Sequence, residues 1–407
     1  MKKIVLISTG QPSTNPRMVK EANSLQAAGY EVTVLYQYVI DWAIKADLKL
    51  LMSVRWNYRL VGGTPKSNWL LFSYIKLRHK LFCTLNKKIG NKFSIAERSQ
   101  TRSYDELLKS AKKIKANWYI GHNLGALAIA VKAATHNKAK VGFDFEDYYR
   151  GEKSNEAPLA KSRLHYLENK YVPSLNYIST SSPLIEEKII AHYPEKKGII
   201  FSLLNCFPIA QQPLFSDKKE NNNALRLFWF SQTVGRSRGL EDIIEALIQL
   251  NNPNIKLTIT GRVNDAFNEY INTHNIRSLT NINFTGPVSP DDIWEIAVKN
   301  DIGLALEPGK DENNRIALSN KIFTYLLAGN AIIFSDTPAQ RKFFEENTEL
   351  GMLYQSGNIE SLKELLLKLI ESPAMIEDMK RKVLKTGIER YNWENESKKL
   401  IAIIENS

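Results

Sequence analysis

The chain has 407 residues, of which 43% are hydrophobic and 24% charged, and its formal net charge is +12. Because single hydrophobic cores stop growing near ~250–300 residues, this length predicts two domains. Only two cysteines, Cys83 and Cys206, are present, which excludes a disulfide framework and is typical of a reducing compartment.

The first elements along the chain predict a parallel α/β sheet. The apolar run KKIVLIS predicts a strand, and YEVTVLY predicts a second one. Between them a segment with helical spacing ends at Gly29; its apolar positions are Met18, Ala22, Leu25 and Ala28. A strand, a helix and a strand within 37 residues are the repeating unit of a doubly wound sheet.

The same alternation continues through both halves of the chain. Further strands are predicted at NWYIGHN, KVGFDFED, LRLFWFSQ, IKLTITG, DIGLALE and AIIFSD, with helices at LGALAIAVKAATH, GLEDIIEALIQL and DDIWEIAVKN. The polar, proline-containing segment 203–224 predicts an interdomain linker. We therefore expect an N-terminal domain over residues 1–205 and a C-terminal domain over 206–392. A terminal amphipathic helix over 393–407 is also predicted.

Residues 37–105 fit this alternation least well and lie within a strongly basic half. Residues 1–200 carry 32 lysines and arginines against 16 acidic residues, and the remainder carries 23 against 27. Within the insertion, NWLLFSYIKLRHKLFCTLNKKIG interleaves aromatic and aliphatic residues with basic ones. Two interpretations stay open: a basic amphipathic face that rests on an anionic membrane, or a core-facing helix with a solvated side. No nucleic-acid-binding signature accompanies the charge, and we expect no nucleic-acid partner.

In doubly wound domains ligands bind beyond the carboxyl ends of the strands, so the loops there are informative. After the first strand, Asn15 and Arg17 flank a proline that opens a helix; a plain helix cap explains them as well as a ligand contact does. No G-x-G-x-x-G or P-loop motif is present, which counts against a dehydrogenase or an NTPase.

Two further strand ends in the N-terminal half carry candidate catalytic groups. His122 and Asn123 follow one strand, and His122 is a candidate proton carrier or hydrogen-bond donor to sugar hydroxyls. Glu146 and Asp147 lie in DFEDYYRGE after the next strand, where a carboxylate binds sugar hydroxyls or serves as a general base. A structural histidine and a solvated acidic turn are the alternatives. The spacing predicts no metal site.

In the C-terminal half the candidates are suited to an anion. Arg238 precedes a helix start, where free amides and a guanidinium form a cradle for a diphosphate. Arg262 follows the next strand. A third loop carries Glu307 and Arg315 and leads into a helix that starts at Ser319, Asn320 and Lys321. A lysine in a first turn opposes the helix dipole by ~0.3–1 kcal/mol, which favours a bound anion there.

These motifs together resemble the GT-B-fold glycosyltransferases of the large retaining group called family 4. The resemblance rests on the order and spacing of segments along nearly the whole chain: TNPRMVKEANSLQAAGYEVTVL, GHNLGALAIA, FDFEDYYRGE, WFSQTVGRSRGLEDIIEAL, NINFTGPVSPDDIWEIA and NKIFTYLLAGNAIIFSDTPAQ. It implies two Rossmann-like parallel-sheet domains facing each other across a cleft. It also implies a nucleotide-sugar donor on the C-terminal domain, an acceptor on the N-terminal domain, and a last helix that returns to the first domain.

The sequence departs from that family at the donor sugar. Relatives carry a Glu-(seven residues)-Glu motif whose positions here are Ile316 and Thr324, and the arginine expected near position 232 is Gln232. Glu307 and Arg315, also eight positions apart, are candidates to replace part of it. The resemblance therefore implies a donor site of Gln232, Arg238, Arg262, Glu307, Arg315, Ser319, Asn320, Lys321 and Thr324.

We accordingly predict transfer of a sugar from a nucleoside diphosphate sugar to a saccharide or lipid-linked saccharide, with retention and without a metal or cofactor. His122, Glu146 and Asp147 are the predicted catalytic residues, and Asn15, Arg17 and Asn123 are on the acceptor side. An inactive GT-B binding or scaffold subunit and a sugar-nucleotide epimerase are the alternatives. The resemblance and the basic N-terminal half favour a role in cell-envelope or surface polysaccharide synthesis.

The expected location follows from the apolar runs. No run reaches the ~18–20 residues of a membrane-spanning helix, and the five apolar residues after Lys3 are too few for a signal peptide. We expect a cytoplasmic protein, with peripheral contact to the inner face of an anionic membrane as an open possibility.

Overall fold

The computed structural model describes residues 2–213 and 224–406. It divides into two units, which are Met1–Leu203 with Ser397–Ser407 (unit 1) and Leu204–Glu396 (unit 2). Residues 214–223 of the predicted linker lie outside the described part of the chain.

Unit 1 contains a parallel sheet of seven strands in the order β3-β2-β1-β4-β5-β6-β7. Its strands are β1 Lys3–Ser8, β2 Glu31–Gln37, β3 Asn57–Val61, β4 Trp118–His122, β5 Lys140–Phe145, β6 Tyr177–Thr180 and β7 Ile200–Ser202. Its helices are α1 Pro16–Ala27, α2 Asp41–Leu51, α3 Trp69–Ile89, α4 Ile95–Gln100, α5 Tyr104–Lys113, α6 Leu124–Asn137, α7 Pro158–Tyr171 and α8 Pro183–His192.

Unit 2 contains a parallel sheet of six strands in the order β10-β9-β8-β11-β12-β13. Its strands are β8 Leu225–Val234, β9 Ile255–Val263, β10 Ile282–Gly286, β11 Ile302–Ala305, β12 Ala331–Ser335 and β13 Gly351–Tyr354. Its helices are α9 Leu240–Leu250, α10 Asp265–Thr273, α11 Pro290–Ala297, α12 Glu312–Ile316, α13 Asn320–Ala328, α14 Pro338–Glu345, α15 Ile359–Glu371 and α16 Pro373–Glu389. The final helix, α17 Trp393–Asn406, belongs to unit 2 up to Glu396 and to unit 1 beyond it.

The central strands are buried on both faces, which explains their near-continuous apolar sequences. Every residue of β4 and β12 is buried, as is every residue of β5 after the first. Strands of parallel sheets covered by helices have this composition. The sequence therefore predicted β4, β5 and β12 correctly but not the equally buried β6, and the prediction of two Rossmann-like parallel sheets is confirmed.

A tyrosine ring packs on a strand glycine in each unit. A Cβ atom on Gly142 would lie 2.2 Å from the Tyr177 ring, and one on Gly303 would lie 2.2 Å from the Tyr325 ring. The Tyr325 hydroxyl donates to the carbonyls of Phe228 and Leu304, at 3.1 and 3.2 Å. These bonds fix α13 on the sheet and so set the position of Lys321, four residues earlier.

The insertion at 37–105 holds α2, β3, α3 and α4. A helix, α3, forms there, and Gly90 follows its last residue with a positive φ of 81°. The membrane-facing and core-facing interpretations of this segment stay predictions. Among the described residues, no helix is both long enough and apolar enough to cross a bilayer.

Candidate functional site

The carboxyl edge of the unit 1 sheet places four polar side chains in one row. Ser8, His122, Asp144 and Ser179 are mutual register partners on the neighbouring strands β1, β4, β5 and β6. All four are fully buried. Since polar groups in a core cost free energy unless they are hydrogen-bonded, this row requires internal partners.

Arg17 supplies the main partner of Asp144. Its Nε donates to Asp144 Oδ2 at 2.5 Å and its Nη2 to Oδ1 at 2.7 Å, and Ser179 Oγ donates to Oδ1 at 2.7 Å. The third guanidinium nitrogen donates to the carbonyl of Leu203. Burial raises the pKa of Asp144, but Arg17 and His122 outweigh it and hold that pKa below its ordinary range. Arg17 is therefore a buried support within unit 1, and its predicted contact with an acceptor stays a prediction.

His122 lies between carboxylates on both sides of its ring. Its Nε2 is 3.4 Å from Glu21 Oε2, while its Nδ1 is 3.6 Å from Asp144 Oδ2 and 3.3 Å from Glu146 Oε1. Burial lowers the pKa of His122, but the surrounding carboxylates raise it well above its ordinary value. The carboxylates on both sides of the ring thus favour its protonated form, in which both ring nitrogens are hydrogen-bond donors.

Glu146 is the partly exposed member of this cluster. Its Oε1 accepts from Asn15 Nδ2 at 2.5 Å, and its Oε2 accepts from Asn123 Nδ2 at 3.2 Å. Asn15 also caps α1, because its Oδ1 accepts from the amide of Met18 at 2.9 Å. The structure thus brings together Asn15, His122, Asn123 and Glu146. Asp147 follows directly and is half-buried.

Glu21, His122 and Asp144 also offer ligand atoms within 4.8 Å of one another, a spacing that suits a cation. Arg17, however, donates to both oxygens of Asp144, and its positive charge disfavours a metal ion beside it. We interpret the group as a buried ion-pair cluster rather than a metal centre.

The loop between β8 and α9 carries two arginines with different surroundings. Arg238 Nη1 donates to Ser231 Oγ at 3.0 Å, and the side chain is partly buried. Arg236 is exposed; its Nε pairs with Glu241 Oε1 at 3.0 Å and its guanidinium lies 4.4 Å from the centre of the Tyr270 ring. Gln232, at the end of β8, is exposed.

Glu307 and Lys321 form an ion pair at the carboxyl edge of the unit 2 sheet. Lys321 Nζ donates to Glu307 Oε1 at 2.8 Å, and the other carboxylate oxygen accepts from Asn314 Nδ2 at 3.0 Å. Ser319 Oγ donates to Oε1 at 3.2 Å, and the amide of Glu307 donates to Ser335 Oγ at 2.8 Å. Burial raises the pKa of Glu307, but Lys321 and the two polar donors lower it below its ordinary value.

Lys321 also lies beside an indole. Its ammonium is 5.2 Å from the centre of the buried Trp229 ring, which adds a cation–π contact to the pair with Glu307. The lysine is thus held at the first turn of α13 despite the helix dipole, because a carboxylate and an aromatic face compensate its charge.

The remaining predicted donor residues differ in exposure. Arg262, Arg315 and Asn320 are exposed, whereas Thr324 is buried within α13. The Arg315 side chain packs near Gly309, which has a φ of 64°. The structure therefore brings Glu307, Ser319 and Lys321 into contact.

The sequence did not indicate several residues that contact the predicted ones in the two units: Ser8, Glu21, Ser179, Trp229, Ser231 and Asn314. Glu21 was detectable as an acid four residues after Arg17 on one helix face. Asn314 lies directly before the predicted Arg315 and contacts Glu307 in its place.

The comparisons with known proteins agree with this architecture. Residues 236–402 match a family model described as glycosyl transferase-like. No curated protein matches the chain.

Solved structures of glycosyltransferases share the fold over the full chain. HepE of Anabaena, in complex with UDP and glucose, superposes with a TM-score of 0.73 at 12% identity, covering 100% of both chains. Sucrose-phosphate synthase from Thermosynechococcus elongatus gives 0.69 at 12% identity, covering 100% of this chain and 99% of the other. A mutant of Staphylococcus aureus TarM, in complex with UDP among other ligands, gives a TM-score of 0.68 at 12% identity, covering 99% of each chain. The chain therefore has the GT-B fold of these solved structures, and its residues 236–402 are similar to a glycosyl transferase-like family.

Proposed function

We propose that the protein transfers a sugar from a nucleoside diphosphate sugar to a saccharide or lipid-linked saccharide during surface polysaccharide synthesis. The observation that carries the proposal is the Lys321–Glu307 pair at the start of α13, with Arg238 on a neighbouring loop. The glycosyl transferase-like match over residues 236–402 supports it, as do structural neighbours that bind UDP.

The diphosphate binds at the first turn of α13. An ammonium has three N–H donors, and Lys321 directs two of them to Glu307 and Ser319. A phosphate oxygen takes the third donor together with the amides at the helix start. Arg238, Arg262 and Arg315 add positive charge, and this electrostatic stabilisation of the leaving diphosphate lowers the barrier without a metal.

The chemistry proceeds with retention, in keeping with the resemblance to family 4. The bond from the anomeric carbon to the diphosphate breaks, and the acceptor oxygen bonds to the same face of the sugar. The acceptor proton passes to the leaving phosphate oxygen, so the step consumes no other reagent.

Unit 1 positions sugar hydroxyls through Glu146 and Asn123, with Asp147 beside them. Because His122 is buried, it acts on the substrate through Glu146, whose Oε1 it faces at 3.3 Å. The imidazole contact orients the Glu146 carboxylate as a hydrogen-bond acceptor.

Isothermal titration of the full chain with UDP, GDP and ADP tests the donor site. We expect one nucleoside diphosphate to bind, and Lys321→Met to weaken that binding at least about tenfold, the loss of one charge-assisted contact. Lys299→Met, at an exposed lysine that follows α11 and precedes β11, is the matched control and should bind as the parent does.

A scaffold subunit without transferase activity is the second candidate. Ile316 and Thr324 stand where relatives keep two carboxylates, and both are buried. A folded protein that binds none of the three nucleotides would favour the scaffold over the enzyme.

A further inference from the structure

The exposed apolar side chains of the described residues concentrate in one segment of unit 1. Of sixteen large hydrophobic residues that are exposed, fourteen lie within 39–93, and the other two are Leu367 and Ile388 of unit 2. The same segment has eleven lysines and arginines against two acidic residues. A surface that is both apolar and basic is not accounted for by the nucleotide-sugar site.

Helix α3 arranges these residues in a stripe. Leu70, Tyr74, Leu77 and Leu81 are spaced by four, three and four residues and therefore share one face of the helix. All four are more than half exposed. The opposite face packs on the protein through buried Ile75 and Asn86, so the stripe faces solvent.

Lysines border the stripe on one flank. Lys76, Lys80 and Lys87 are exposed and share a second face of α3, and Lys76 and Lys80 directly precede Leu77 and Leu81. Trp69 and Leu70 open the helix at the same surface and are each about two-thirds exposed, at 60% and 66%. Aromatic and aliphatic side chains flanked by lysines are the composition of helices that lie in the interface of an anionic membrane.

The loop before α2 extends this surface toward the acceptor side of the sheet. Tyr38 contacts Phe72 of α3 with ring centres 5.6 Å apart, and Val39 and Ile40 next to it are exposed. The amides of Val39 and Ile40 donate to Gln11 Oε1, at 2.9 and 2.7 Å, in the loop after β1. The apolar surface is therefore tied to the same sheet edge as Asn15 and Glu146.

We propose that this surface, α3 with residues 38–42, docks on an anionic lipid bilayer and presents the carboxyl edge of the unit 1 sheet to a lipid-linked acceptor. The lysines attract the anionic headgroups, and the leucine and tryptophan side chains enter the interface. The identity of the acceptor rests on the proposed function. Docking on the bilayer does not depend on that function.

Flotation of the full chain with phosphatidylcholine vesicles, with and without phosphatidylglycerol, tests the proposal. We expect binding only when phosphatidylglycerol is present, and weaker binding at high salt because exposed charges are screened within ~10 Å at 0.1 M. The pair Leu70→Glu with Leu77→Glu should reduce the bound fraction at least about tenfold, as burial of two leucines is lost. The pair Lys76→Glu with Lys80→Glu should do so at least about tenfold as well.

Matched controls use comparable residues elsewhere. Leu367→Glu with Ile388→Glu changes two exposed apolar residues, and Lys113→Glu with Lys115→Glu changes two exposed lysines that precede β4, at the opposite edge of the sheet. The proposal would be overturned if the variants and the controls lost the same vesicle-bound fraction. Undiminished binding to vesicles without phosphatidylglycerol would overturn it as well. If the chain dimerised without vesicles and Leu70→Glu with Leu77→Glu abolished the dimer, the proposal would be wrong. The apolar face of α3 would then be an interface with a second copy of the chain. Nucleotide titration on the same variants tests the proposed function separately. Variants that lose vesicle binding but still bind the nucleotide would show that docking and the donor site are independent.

Discussion

The two sheets use their carboxyl edges differently. In unit 1, Arg17, Glu21, His122 and Asp144 are buried and face one another. In unit 2 most of the polar candidates that follow strands or open α13 are exposed, namely Gln232, Arg236, Arg262, Arg315 and Asn320. The charged groups of unit 1 thus face one another, whereas unit 2 leaves several arginines exposed.

This difference assigns separate tasks to the two edges. A buried, balanced cluster fixes the position of the few groups that reach the surface, here Glu146 and Asn123. An open basic edge binds an anion whose charge it neutralises. Substitutions in the first should therefore affect stability, and those in the second should affect nucleotide binding and turnover.

The largest expected effect is the loss of Arg17. Arg17→Met leaves the Asp144 carboxylate buried without its guanidinium, which should lower the free energy of unfolding of unit 1 by about 3–5 kcal/mol. Urea unfolding followed by fluorescence, fitted with one transition for each unit, measures the change.

The matched control is Arg236→Met in unit 2. Arg236 pairs with Glu241 at an exposed site, and its loss should cost under about 1 kcal/mol. If both variants lowered the free energy of unfolding by the same amount, the distinction between a buried edge in unit 1 and an exposed edge in unit 2 would be wrong.

The second effect concerns turnover. Lys321→Glu should abolish sugar transfer and Lys321→Met should reduce kcat about 10²–10³-fold, because each removes a charge that stabilises the leaving diphosphate. Initial rates with the nucleotide sugar identified by titration measure both. Lys299→Met is the control, and a Lys321→Glu variant that stays folded and transfers sugar as fast as the parent would refute the phosphate role.

Sequence patterns anticipated most of the interior strands, but neither the edge strands nor the four-residue interior strand β6. β3, β7, β10 and β13 are at sheet edges and short, and β3 has one buried residue among five, so no apolar run indicates it. The row of strand-end polar groups was partly anticipated, since His122 and the acids near Glu146 follow apolar runs.

The partners of those groups were not predictable from local patterns. Glu21 is separated from His122 by about a hundred residues, and a charged residue on a helix is normally solvated. Likewise the sequence predicts that Lys321 contacts a bound anion, whereas in the structure its ammonium group contacts Glu307 and the Trp229 ring. Such pairings depend on which strands become neighbours.

A third prediction uses pH to probe the unit 1 cluster. The pKa of His122 is raised, so its contribution to stability is fully present below the ordinary value near ~6.5 and is lost as pH rises through the folded value. The pKa of Asp144 is lowered, so its contribution is present above ~4 and is lost as pH falls. These two groups together stabilise unit 1 most between about pH 4 and pH 6.5.

Glu21→Gln removes the carboxylate that faces His122 Nε2 and should lower the pKa of the imidazole. The decline in unfolding free energy between pH 6.5 and 9, at most about 1.4 kcal/mol per pH unit for one proton, should then become shallower. Glu31→Gln, at a surface pair with Lys3, is the control and should keep the parent slope. An unchanged slope in Glu21→Gln would show that Glu21 does not hold the proton on His122.

The smallest expected effect is at Thr324, the position that the resemblance assigns to the second glutamate of the family motif. Thr324 is 2% exposed within α13, so its side chain is part of the packed helix rather than of the open edge. Thr324→Val keeps the shape and removes only a hydroxyl, a change of about 0.5–1.5 kcal/mol when it makes one hydrogen bond. Nucleotide affinity by titration should therefore weaken no more than about tenfold. A larger loss of affinity would mean that Thr324 contacts the nucleotide and that the binding site extends to the packed face of α13. An unchanged affinity would mean that Lys321 and the exposed arginines supply the nucleotide contacts.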